Sequence, residues 1–68
     1  MALSILVNGT AYEIGEGSSV ADLVAAHELE PTQVAVELNR EIVPRGSRGE
    51  RLLVGGDRVE LVTLVGGG

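Results

Sequence analysis

Residues 3–14 read LSILVNGTAYEI, and they carry the pattern of two strands joined by a tight turn. The apolar residues of one face recur at every second position: Leu3, Ile5 and Val7, and then Tyr12 and Ile14. A period of two is typical of strands with one buried face. Asn8-Gly9 readily adopts the positive φ that a two-residue turn needs. The stretch therefore predicts an antiparallel hairpin.

The pattern that follows the hairpin has the period of a helix. Ser19 precedes Asp22 by three residues, which indicates a capping box with Asp in place of Glu. We expect the helix to run from about Val20 to Glu28, because Pro31 stops any continuation. Its apolar face comprises Val20, Leu23, Val24 and His27.

Two longer strands are predicted after the helix. Residues 34–39 alternate cleanly, and residues 58–65 form the last strand after a turn at residues 55–57. The segment between them is mostly loop. In it we expect a short strand at Ile42–Val43 and a single helical turn at Arg48–Leu53.

The order of these elements predicts an α+β fold of the β-grasp type. One helix crosses over a mixed sheet of four to five strands and must pack on one of its faces. The residues expected to point toward the helix are Leu3, Ile5, Val7, Val34, Val36, Leu38, Val59 and Leu61. A ferredoxin-like split fold is the rival, but it needs a second helix, and residues 45–53 are too short for one.

Composition limits the classes of function. The 68 residues indicate one domain at residues 1–65 and a flexible glycine tail at residues 66–68. With no cysteine and one histidine, neither a disulfide nor a structural zinc site is expected. The net charge of −5 and the single aromatic argue against nucleic-acid binding. No stretch resembles a membrane span or a signal peptide, so we expect a cytoplasmic protein.

The side chains do not predict catalysis by this chain itself. The sequence offers no nucleophile–base set and no metal-binding cluster, so we expect a protein that other enzymes act upon. His27 is expected to be a partly exposed helix residue. The arginines of the loop segment are expected on a solvated surface, with contact to an acidic partner as the alternative: Arg40, Arg45, Arg48 and Arg51.

The tail formed by Gly66, Gly67 and Gly68 has a possible chemical use. Without a Cβ, it can thread a channel too narrow for any side chain. Its terminal carboxylate is an anion at neutral pH, and it becomes reactive once a partner enzyme converts it to an acyl-adenylate with ATP. A frayed terminus or a linker is the alternative.

An apolar patch is expected beside this tail. Leu6, Val62 and Leu64 should face away from the helix on neighbouring strands, and exposed apolar patches often mark contact sites. We therefore predict that a partner docks on these three residues, unless a loop covers them.

Four stretches in this order resemble the ThiS family of small sulfur carriers. They are ILVNG at residues 5–9, SSVADLV at residues 18–24, VAVELNREIVPR at residues 34–45 and GGDRVELVTLVGGG at residues 55–68. The resemblance implies a ubiquitin-like β-grasp fold that binds no cofactor of its own. It also matches Gly67 and Gly68 to the Gly-Gly terminus of the family.

The resemblance further implies a role as carrier. An E1-like, ThiF-like enzyme would adenylate Gly68 with ATP, and a thiocarboxylate would follow, with sulfur from cysteine through a desulfurase persulfide. Thiazole synthase (ThiG) would receive this sulfur in thiamine biosynthesis. Carriers for molybdopterin, cysteine, methionine or tRNA thiolation are alternatives. A β-grasp interaction module without covalent chemistry is the alternative from a different class.

Overall fold

The computed structural model describes residues 1–64, in which one mixed sheet is crossed by one α-helix. The strands are β1 (Ala2–Val7), β2 (Thr10–Gly15), β3 (Val34–Leu38), β4 (Glu41–Ile42) and β5 (Arg58–Thr63). The helix is α1 (Val20–Ala26), and two short 3₁₀ helices span Pro31–Gln33 and Arg45–Ser47. The predicted glycine tail lies outside the described residues.

The sheet has the order β2-β1-β5-β3-β4. β1 and β5 run parallel in its centre, and every other neighbouring pair is antiparallel. A parallel central pair requires a crossover, and α1 lies in the connection between the two hairpins. This arrangement confirms the predicted β-grasp fold.

Each of the two hairpins turns through residues with positive φ. In the first, Asn8 has a φ of 50° and Gly9 a φ of 83°, as the Asn-Gly signal predicts. The second joins β3 to β4 through Asn39, with a φ of 51°, and Arg40, with a φ of 72°. That turn carries no glycine signal, so sequence reasoning placed the short strand one residue too late, at Ile42–Val43 instead of Glu41–Ile42.

The predicted capping box of α1 is confirmed. The backbone N–H of Asp22 donates to Ser19 Oγ over 3.1 Å, and the backbone N–H of Ser19 donates to Asp22 Oδ2 over 2.9 Å. The helix ends two residues earlier than predicted, because Glu28 adopts a φ of 56°. The N–H groups of Glu28 and Leu29 donate to the carbonyls of Ala25 and Val24, which is the Schellman pattern of a helix terminus.

The core lies between α1 and one face of the sheet. The sheet residues predicted to point inward all contribute, Leu3 being partly buried, and Val43 and Leu53 from the loop segment join them. From the helix come Val20, Leu23 and Val24. The predicted inner face is therefore confirmed, and aliphatic side chains fill it.

Two expectations for the loop segment were wrong. The helical turn predicted at residues 48–53 lies earlier in the chain. The 3₁₀ helix spans Arg45–Ser47, and the N–H of Arg51 still donates to the carbonyl of Ser47, whereas Leu52 forms a bridge with Ser19. Arg48 does not lie on a solvated surface, because its exposure is only 6%. Its guanidinium donates to the carbonyl of Pro31 over 2.9 Å and to that of Val34 over 2.6 Å. β4 has only two residues, so it ends before it reaches the position beside Val34. The guanidinium of Arg48 therefore donates to the Val34 carbonyl in place of a β4 backbone N–H.

Candidate functional site

The end of β5 leads the chain toward the predicted tail. Thr63 lies opposite Val34 in the β3–β5 register, and the backbone N–H of Leu64 donates to the carbonyl of Gln33 over 2.7 Å. The chain is therefore held at the sheet through Leu64. The threading and modification roles of Gly66, Gly67 and Gly68 stay predictions, because these residues lie outside the described part.

On the side of β5 that faces β1, the side chain of Asn8 forms hydrogen bonds to β5 beyond the end of β1. Backbone pairing of β1 with β5 covers Leu6–Arg58 and Val7–Val59. Beyond it, Asn8 Oδ1 accepts from the backbone N–H of Leu61 over 2.8 Å, and Asn8 Nδ2 donates to the Leu61 carbonyl over 3.2 Å. Sequence reasoning assigned Asn8 only to a turn, and a single sequence carries no signal for this contact.

The three residues of the predicted docking patch do not lie together. Val62 and Leu64 are 51% and 52% exposed, on the face of the sheet opposite α1. Leu6 is only partly exposed, and it lies beside Arg58, four residues before Val62. At roughly 3.3 Å per strand residue, this offset is about 13 Å. Only Val62 and Leu64 therefore lie near the root of the tail, and the docking role of all three stays a prediction.

The rest of this outer face combines an exposed apolar residue with carboxylates. Ile42 is 76% exposed and lies opposite Glu37, which in turn lies opposite Glu60 on β5. Like charges directly opposite each other on a sheet destabilise it. The outer face therefore carries the carboxylates of Glu37 and Glu60 and the guanidinium of Arg58 beside its exposed apolar residues.

A shallow groove separates the β1–β2 turn from the last residues of β5. It is lined by Asn8, Gly9 and residues 60–63. The groove therefore borders the last residues of β5, and Glu60 is the one charged residue in its lining.

The single histidine belongs to the helix terminus. His27 caps α1, its Nδ1 lies 3.1 Å from the carbonyl of Leu23, and its ring centroid lies 4.7 Å from that of Tyr12. The ring is partly buried, in agreement with the prediction.

Within residues 1–64, no cluster of His, Cys, Asp or Glu could hold a metal ion, and no helix is long and apolar enough to cross a membrane.

Comparison with known proteins assigns the family. The sequence matches the ThiS family over residues 5–68. A thiazole synthase of Magnetococcus marinus is 33% identical over 66 residues, which are 97% of this chain and 20% of that protein. The sulfur carrier protein ThiS of Escherichia coli is 27% identical over 66 residues, which are 97% of this chain and 100% of that protein. The chain thus spans about a fifth of the thiazole synthase and all of the carrier.

A solved structure supports the same assignment. The crystal structure of the thiamine biosynthesis protein ThiS from Geobacter metallireducens superposes with a TM-score of 0.83 at 30% sequence identity. The superposition covers 97% of this chain and 100% of that one. In sequence and in fold, the chain belongs to the ThiS family.

Proposed function

We propose that this protein carries sulfur on the carboxylate of Gly68 for thiazole formation in thiamine biosynthesis. The observation that carries the proposal is the family match, which runs through residue 68 and so includes the Gly-Gly pair at its end. The Escherichia coli relative is a sulfur carrier protein, which agrees with the proposal. In this proposal the protein is a co-substrate, and partner enzymes supply the catalysis.

The carboxylate of Gly68 becomes a thiocarboxylate in three steps. A carboxylate oxygen of Gly68 attacks the α-phosphate of ATP on an E1-like enzyme, which forms the acyl-adenylate and releases pyrophosphate. A persulfide sulfur, derived from cysteine, then attacks the acyl carbon and displaces AMP. A thiol reductant cleaves the resulting S–S bond and leaves the thiocarboxylate, whose sulfur passes to the thiazole precursor.

The architecture fits a carrier because β5 ends at Thr63, a few residues before the glycines. Leu64 is still hydrogen-bonded to Gln33, and four residues follow it. Four extended residues span at most about 13–14 Å, which is long enough for the carboxylate to enter a partner's site while the domain stays outside. Glycines 66–68 suit a narrow entrance because they have no side chains.

Besides the cysteine desulfurase that supplies the sulfur, two partner enzymes are part of the proposal. A ThiF-like adenylyltransferase would bind the outer face near Val62 and Leu64, with Leu6 as a more distant contact. A ThiG-like thiazole synthase would accept the sulfur. The thiazole synthases that contain a segment similar to this chain support that second partner. The same relatives favour thiazole formation over the molybdopterin, amino-acid and tRNA pathways.

Intact-protein mass spectrometry tests the proposal. The chain is incubated with ATP, a ThiF-like enzyme, a cysteine desulfurase, cysteine and a thiol reductant. We expect one oxygen to be replaced by sulfur, mapped to Gly68. Gly68→Val should abolish the replacement, whereas Gly49→Ala should not, because a Cβ at Gly49 meets no atom within 4 Å. An unmodified wild-type chain beside a carrier that converts under the same conditions would refute the proposal.

A further inference from the structure

The strand that leads to the tail is held differently on its two sides. On the β3 side, the register runs from Leu38–Val59 to Val34–Thr63, and Leu64 adds its bond to Gln33. On the β1 side, backbone strand pairing covers only the first two residues of β5. The half of β5 that adjoins the tail therefore depends on a side chain for its second support.

That side chain belongs to Asn8. Its backbone N–H donates to the Val59 carbonyl over 2.9 Å, and its amide bonds both the N–H and the carbonyl of Leu61. The amide thus takes the place of the next residue of β1, although the backbone has turned away. It joins positions that are 53 residues apart in sequence, so it fixes tertiary geometry rather than the local turn.

Asn39 makes a closely matching contact at the other end of β5. It also opens a turn at positive φ, its Oδ1 accepts from the N–H of Arg58 over 3.0 Å, and its Nδ2 donates to Asp57 Oδ1 over 3.0 Å. Two turn asparagines therefore hold the two ends of the same strand. Of these two asparagines, Asn8 is the one that bonds the half of β5 nearer to the tail.

We infer that Asn8 is a positioning residue that sets the direction in which β5 delivers the glycine tail to the activating enzyme. The inference rests on the proposed function. Without the Asn8 amide, the described residues of β5 beyond Val59 are hydrogen-bonded to neighbouring segments only on the β3 side. The end of β5 can then change its direction relative to the rest of the sheet. Adenylation requires the carboxylate close to the α-phosphate, and a misplacement of about 1 Å can cost up to about a hundredfold in rate.

Two matched variants test the inference. Asn8→Gly and Asn39→Gly each remove one side-chain amide from a residue at positive φ, a conformation that glycine adopts readily. Both are assayed by AMP formation with a ThiF-like enzyme and ATP. We expect Asn8→Gly to lower kcat about tenfold, with the KM for the carrier little changed. Asn39→Gly should stay within about twofold of the wild type.

Amide hydrogen exchange on the carrier alone provides a second readout. Local opening is reported by the exchange rate of the amides that it exposes. In Asn8→Gly the amides of Leu61 and Leu64 should exchange about tenfold faster, and in Asn39→Gly they should not. Asn8→Asp keeps an acceptor for the Leu61 N–H and loses the donor to its carbonyl. It should show a smaller loss of kcat and keep the Leu61 amide protected.

The outcomes separate the inference from the proposed function. If the wild type is adenylated and Asn8→Gly matches it, or if both glycine variants lose kcat equally, the positioning role is refuted. Unchanged exchange at Leu61 in Asn8→Gly refutes it as well. A wild-type chain that no ThiF-like enzyme adenylates refutes the proposed function, and the inference falls with it.

Discussion

Replacing Arg48 by methionine should destabilise the fold more than the same change at the exposed arginines of the loop segment, Arg40, Arg45 and Arg51. The guanidinium donates to two carbonyls, of which Val34 is in a buried contact and Pro31 in a partly buried one. Arg48→Met keeps much of the apolar stem in place. It leaves both oxygens without this donor, so the effect isolates the polar interaction from the packing.

The structure sets the size of this effect. An unsatisfied buried acceptor costs about 1–3 kcal/mol, and the full cost applies only to the Val34 oxygen. Part of this cost is offset, because Arg48 Nε is buried without a hydrogen-bond partner in the described structure. Methionine removes this unsatisfied group. The free energy of unfolding should therefore fall by about 1–3 kcal/mol. A domain of this size has a total of only about 3–10 kcal/mol.

Urea denaturation followed by circular dichroism measures the change. We expect a lower midpoint with an unchanged slope, because the surface exposed on unfolding stays the same. Arg51→Met is the control, since Arg51 makes only a loose, exposed ion pair of 4.0 Å with Glu41. The control should lose no more than about 0.5 kcal/mol. Equal midpoints for the two variants would show that water satisfies the carbonyls and would refute the reasoning.

Three further changes test other features of the fold. Glu28→Gly should raise the free energy of unfolding by about 1 kcal/mol, because Glu28 ends α1 at positive φ; a lower urea midpoint would contradict this. Glu60→Gln should add about 0.2–1 kcal/mol by removing the repulsion from Glu37, and the gain should vanish in high salt if it is electrostatic. Leu64→Glu should weaken binding to the activating enzyme, measured by calorimetry, without unfolding the domain. Leu6→Glu should weaken it less, and the reverse order would place docking elsewhere.

The parts of the fold that sequence reasoning predicted are those with local signals. The Asn8-Gly9 turn depends on the φ preferences of two adjacent residues, and the capping box depends on Ser19 and Asp22 three positions apart. The inward faces of the strands follow from alternation, which any register preserves. The end of α1 was misplaced because Glu28 adopts a conformation for which glycine is the usual signal.

The candidate site was predicted in part. Exposure of Val62 on β5 and of Leu64 just after it follows from the alternation of residues, which the sequence alone provides. Their separation from Leu6 depends on the stagger of β1 against β5, where Leu6 meets Arg58. Stagger is set when distant segments pair, so a residue pattern that is correct for each strand does not determine which residues become neighbours.

The sequence by itself determined the hairpin, the start of the helix, the buried faces and the resemblance of the glycine tail to a carrier terminus, because each depends on neighbours in the chain. Only the tertiary structure decided that Arg48 is buried and that Asn8 holds Leu61. Both side chains bond backbone groups left without strand partners where a neighbouring strand ends. Which groups are left depends on strand length and register, and these arise from packing between segments that are far apart in sequence.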